Sequence, residues 1–179
     1  MPAMTTGAAS PPRATIVMAA RERHSRAEAA IESIVAATVR PVRFIYLDVQ
    51  SPDWLRESFA QRSAEWGLEV VRFDEPLWPQ EARKRVAASI DTDYVVFIDN
   101  DVQVEAGWLD ALIACADETG AGIVGPLYLW GDGIGRSKIH MAGGKLIEAP
   151  AEGGRVLDEA HLLFNADPRL VARQLVRQP

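Results

Sequence analysis

The sequence predicts an α/β fold, a mostly parallel sheet with helices on both faces, followed by a C-terminal β-hairpin region. Three observations carry this. Four short apolar runs, at 15–19, 42–47, 68–73 and 94–98, alternate with three stretches of helical periodicity, the order that right-handed crossovers turn into parallel strands. The run 94–98 is apolar at every position, as in a strand covered on both sides. Ten of the 13 glycines then fall between Gly120 and Gly154, so the alternation gives way to turns. The chain has 179 residues, 48% hydrophobic and 25% charged, enough for one domain with a sizeable core.

Residues 1–13 are small, polar and proline-rich, a composition that offsets little ordering entropy and predicts a flexible leader. Residues 14–179 read as a single domain. After the strand Thr15 to Ala19, the residues Ala27, Ala30, Ile31, Ile34, Val35 and Thr38 recur at helical spacing, with Ser25 and Glu28 as a capping box. Val42 to Leu47 is the second strand. Ser51 and Pro52 read as N-cap and first residue of a helix burying Leu55, Phe59 and Trp66, which Gly67 stops. Leu68 to Phe73, Pro79 to Ile90 and Tyr94 to Ile98 read as strand, helix and strand. A helix follows over Trp108 to Glu118, then a fifth strand over Gly122 to Leu129. Lys138 to Met141 and Lys145 to Glu148 flank Ala142, Gly143 and Gly144 as a hairpin. Asp167 and Pro168 open a last helix through Val176.

Composition excludes several functions. The net charge of −6 supplies no basic field to hold a nucleic-acid backbone, so no nucleic-acid partner is expected. No run reaches the about 18 apolar residues of a membrane span, so no transmembrane segment is expected, and the N-terminus has no signal core. The single cysteine, Cys115, rules out an intrachain disulfide and a cysteine-built zinc site; the chain reads as cytoplasmic. The turn after the first strand, Ala19 to Arg23, holds no glycine, which excludes a P-loop or dinucleotide fingerprint there. Gly131 to Gly135 is followed by a strand and reads as a surface loop. His24, His140 and His161 are scattered, and no Ser/His/Asp arrangement stands out.

The most informative segment is Phe97, Ile98, Asp99, Asn100, Asp101. Ligands of open α/β sheets bind beyond the carboxyl ends of strands, and Asp99 and Asp101, two apart in an extended chain, project to one side. Paired carboxylates suit Mg²⁺ or Mn²⁺ completed by water and phosphate oxygens; equally, the segment makes a polar turn. Asp48, ending the second strand at the same sheet edge, serves either as an acceptor for a base or ribose or as a turn acid before the next helix. Arg83, Lys84 and Arg85 face either a pyrophosphate or solvent.

Together these residues resemble the family 2 type glycosyltransferases of the GT-A fold, which use nucleotide-diphospho-sugars. The resemblance spans about Ala14 to Leu146. It rests on the strand Thr15 to Met18, Leu47 and Asp48 at the uracil-binding aspartate, Ala82, Arg83 and Lys84 at an Ala-Arg-Asn segment, Phe97 to Asp101 at the DXD motif, and Gly107, Trp108 and Leu109 after it. It implies that Asp101 contacts a Mn²⁺ or Mg²⁺ ion, that Asp99 contacts ribose or metal-bound water, that Asp48 binds the base and that Arg83 lies near the nucleotide. The implied activity is transfer of the sugar, with inversion, to an acceptor hydroxyl of a saccharide, lipid or protein. Two departures stand out. Ala19, Ala20, Arg21 and Glu22 replace the family's Pro-Thr-Tyr-Asn. No acid after the hairpin, among Glu152, Asp158, Glu159 and Asp167, sits in the paired context of the family's general base. A GT-A-like domain lacking its acceptor-side segment is therefore expected, the alternative function being a nucleotide-sugar-binding or interaction module without turnover.

Overall fold

The computed structural model describes residues 11–20, 22–131 and 137–171, so most of the expected leader, the 132–136 stretch of the expected glycine loop and the expected end of the last helix, up to Val176, lie outside the described residues. The chain divides into two compact units, 1–109 and 110–179.

The first unit is the expected α/β layer structure. Strands β1 (Ala14–Ala19), β2 (Arg43–Val49), β3 (Leu68–Phe73) and β4 (Tyr94–Asp99) form one parallel sheet in the order β3-β2-β1-β4. Helices α1 (Ala27–Ala37), α2 (Asp53–Trp66) and α3 (Pro79–Ala87) alternate with them. Because aligned residues of parallel strands share a face, Val17, Ala19, Ile45 and Leu47 form one row, and they pack on Ala82 and Val86 of α3. The opposite row carries Ile16, Met18, Phe44 and Tyr46, all buried, with the Tyr46 ring 4.6 Å from Phe59 of α2. Every residue of β1 is buried, which explains its uninterrupted apolar run.

Several local expectations need correction. Ser25 and Glu28 form no capping box: His24–Arg26 is a 3₁₀ turn, and the residue preceding α1, Arg26, makes no side-chain cap. Val35 leaves the buried stripe and is 40% exposed. Ser51 does not cap α2; Pro52 holds that place, and the Ser51 N–H donates to Asp48 instead. Helix α3 ends at Ala87, three residues early. Strand β4 is not buried on both faces. It is an edge strand among the described residues, and Val95 and Phe97 are about half exposed.

Helix α4 (Trp108–Thr119) follows, and its Leu109, Ile113 and Ala116 are buried. The fifth strand is only β5, Tyr128–Trp130; Pro126, with no N–H, and two glycines interrupt the run before it. The hairpin partners also differ from expectation. Strand β6 (Lys138–Met141) pairs antiparallel with β5, whereas β7 (Gly144–Ala151) pairs with β8 (Gly154–His161) across a turn at Glu152 and Gly153. Strand β8 escapes sequence reading because its residues are nearly all exposed and charged residues interrupt their alternation. The segment after β8 returns to β6 through Asn165 N–H donating to the Ile139 carbonyl and Ile139 N–H to the Ala166 carbonyl, ahead of α5 (Pro168–Val171).

Candidate functional site

The site begins with strand order. Ala19 and Asp99 are aligned neighbours at the carboxyl ends of β1 and β4, so the loops leaving these two strands emerge at one sheet edge. Each loop brings at least one acid to that edge. Glu22, Asp99, Asn100 and Asp101 line a cavity of about 70 Å³ there. Asn100 is buried at 1% exposure, while the side chains of Asp99 and Asp101 remain 41% and 30% exposed. The loop beyond them is tied to α1: Val104 N–H donates to Ser33 Oγ at 3.3 Å, and Trp108 Nε1 to Thr38 Oγ1 at 3.1 Å.

Two arginines face the acids. Arg83, one turn into α3, donates from Nη2 to Asp99 Oδ1 at 2.8 Å and lays its guanidinium 5.4 Å from the centre of the Phe97 ring. Arg23 reaches Asp101 Oδ2 at 3.4 Å from a backbone held in the left-handed region at φ 56°. Arg83, Asp99 and Asp101, singled out by sequence, are thus brought together. Glu22 and Arg23 were not singled out. The signal that finds them is position: they lie just after the strand adjacent to β4, at the edge where open sheets bind ligands.

Asp48 is placed differently. It shares the sheet edge, but its pleat sends it to the α2 face with Tyr46, whereas Asp99 lies on the α3 face with Ala19 and Leu47. Its carboxylate is fully buried. Oδ1 accepts from Ser51 N–H at 3.0 Å, and Oδ2 from Arg72 Nε at 2.9 Å, with Arg56 Nε 3.8 Å away. Burial alone would raise its pKa, but the contacts from Ser51 and Arg72 outweigh that and hold the carboxyl below the ordinary range. The Tyr46 phenol lies beside Ser51, Asp48 and Asn100, and burial pushes its pKa up. Asp48 is not among the residues that line the cavity.

The oxygen donors fit a hard divalent cation. No three His, Cys, Asp or Glu side chains among the described residues form a ready-made metal cluster. An octahedral Mg²⁺-type ion does not require one, since it keeps water and takes substrate oxygens beside one or two carboxylates. In the second unit, Asp158 and Glu159 lie on the exposed β8, and Arg169 holds the Asp167 carboxyl down at about 2.

A model of the family described as Glycosyl transferase family 2 matches residues 15–165. No curated protein matches the sequence. Among solved structures, S. aureus TarS 1-349 in complex with UDP-GlcNAc is similar with a TM-score of 0.52 and 14% identity, over 65% of this chain and 38% of that one. The same protein in complex with UDP gives 0.52 and 14%, over 65% and 39%. The chain thus matches less than two fifths of the length of these neighbours, and the likeness is one of fold. No helix among the described residues is long and apolar enough to cross a membrane.

Proposed function

The chain belongs to glycosyl transferase family 2, and from that membership we propose that it binds a nucleotide-diphospho-sugar at the Asp99–Asp101 cavity and so equips the donor side of a sugar transfer, with inversion, to an acceptor hydroxyl. One observation carries the reading: the acids placed just beyond two adjacent parallel strands line a single cavity at the carboxyl edge of the sheet. The neighbour of like fold is a protein crystallised with UDP-GlcNAc and with UDP, which supports a uridine diphosphate donor. Asp101 and Asp99 would hold Mn²⁺ or Mg²⁺, which when bound supplies positive charge against the departing diphosphate. Asp101 takes the larger share, because its contact with Arg23 is long whereas Arg83 holds Asp99 at 2.8 Å. Arg83 lies where it can face the nucleotide. Asp48 supports the base side of the site by fixing the turn at Ser51. The acceptor is a saccharide, lipid or protein, and the single cysteine is consistent with work in the cytoplasm.

Calorimetric titration of UDP and GDP, with Mn²⁺ and then with EDTA, tests this. Binding is expected only with the cation, and Asp101→Ala is expected to weaken it more than Asp99→Ala. Equal binding in EDTA would remove the cation from the site.

A further inference from the structure

Resting on that donor-site reading, we infer that Arg23 and Arg83 are resident counter-ions of the Asp101 and Asp99 carboxylates that pass to the donor diphosphate, so that donor and cation bind cooperatively. Two carboxylates two residues apart repel each other unless positive charge stands between or beside them. Here one guanidinium stands against each: Arg83 on Asp99 and Arg23 on Asp101. A cation arriving alone meets carboxylates whose charge the guanidiniums already offset, which weakens its binding. A diphosphate arriving alone meets the acids as well as the arginines. Arriving together, they exchange partners, because a guanidinium fork matches phosphate oxygens and the freed carboxylates turn to the cation.

Two further observations support exchange over a purely structural role. Buried Nε of Arg83 has no hydrogen-bond partner among the described residues, so the side chain retains donor capacity that its pair with Asp99 does not use. Arg23 is a non-glycine residue in the left-handed region, a conformation that costs energy and collects at functional sites. Its ion pair is long and its side chain 70% exposed, so little is lost when it lets go.

Mn²⁺ affinity of the whole chain, measured by the electron-spin signal of free Mn²⁺ with and without UDP, tests the exchange independently of any transfer. The variants are Arg83→Gln, Arg23→Asn, whose asparagine adopts the left-handed region readily, and the two combined. Without UDP, the double variant is expected to bind Mn²⁺ about two- to fivefold more tightly than the native chain, the scale of exposed ion pairs. Its UDP affinity in saturating Mn²⁺ is expected to fall, and the tightening of Mn²⁺ by UDP to shrink towards none. Arg83→Lys, which keeps charge but loses the fork, should keep the weak Mn²⁺ binding and lose part of the UDP affinity. Unchanged or weaker Mn²⁺ binding in the double variant, with Asp101→Ala still abolishing Mn²⁺-dependent UDP binding, overturns the counter-ion role and leaves the donor site standing. A native chain that binds no UDP in Mn²⁺ removes both.

Discussion

Asp48 and Asp99 carry the same group and end strands of the same sheet, yet the pleat sends one to the α2 face and the other to the α3 face. The difference decides their chemistry. Asp99 keeps partial exposure and one arginine, whereas Asp48 is fully buried with Ser51 and Arg72 as bonded partners. Removing the Asp48 carboxylate takes from Arg72 its partner at 2.9 Å and leaves Arg56 with Asp53, 3.8 Å away, alone. For a fully buried pair such a loss costs about 3–5 kcal/mol, but Arg56 and Arg72 are 35% and 49% exposed and can turn to water, so Asp48→Ala is expected to cost about 1–3 kcal/mol. The pH dependence has a definite sign. The folded carboxyl titrates below the unfolded one, so its stabilisation is full above the ordinary carboxylate range and is lost as pH falls through the folded value. Urea unfolding of both chains near neutral pH and again in acid should therefore show the gap between them closing on acidification; a constant gap would show that Asp48 acts by packing alone.

At the scale of elements, the first 109 residues were largely legible because each helix and strand there carries a local signal. Leu55, Phe59 and Trp66 mark the buried side of α2, and Gly67 marks its end. Gly67 sits at φ 60° with its N–H donating to the Ala64 carbonyl and with open space around a would-be Cβ. Gly67→Ala is thus a strain test uncomplicated by clashes, and thermal or urea unfolding should show a loss of about 1 kcal/mol; no loss would mean that the turn into β3 relaxes freely. Pairing was less legible than existence. The glycines at 143 and 144 announced a turn, but which strands meet across a turn depends on hydrogen bonds made elsewhere: Ala142 N–H donates to the Leu162 carbonyl and Leu162 N–H to the Gly143 carbonyl. The site divides likewise. Asp99, Asp101 and Arg83 came from motif and resemblance, while Glu22 and Arg23 needed strand order, since only the pairing of β1 with β4 brings their loop beside the acids.

Taken as a whole molecule, the chain has an asymmetric distribution of chemistry. The first unit contains the cavity, both arginines that face it and the buried Asp48 support. Inverting transfer also needs a base within hydrogen-bond reach of the acceptor hydroxyl, and such a base is typically worth about 10²- to 10⁴-fold. The later acids that sequence offers for that task are poorly equipped. Arg169 holds Asp167 at about 2, which makes it a weak proton acceptor at neutral pH. Glu152 is at the turn of an exposed hairpin, and Asp158 and Glu159 are consecutive on β8, so they point to opposite sides of the ladder and cannot act as a pair. Donor binding and transfer are therefore expected to separate in this chain. With radiolabelled nucleotide-sugar, Mn²⁺ and a crude mixture of saccharide, lipid and protein acceptors, no label should pass to any acceptor, although calorimetry of the same preparation shows the diphosphate bound. Robust transfer that EDTA abolishes would show instead that a base is present, and Glu152→Gln, Asp158→Asn and Glu159→Gln would then identify it by which one loses transfer while keeping the donor bound.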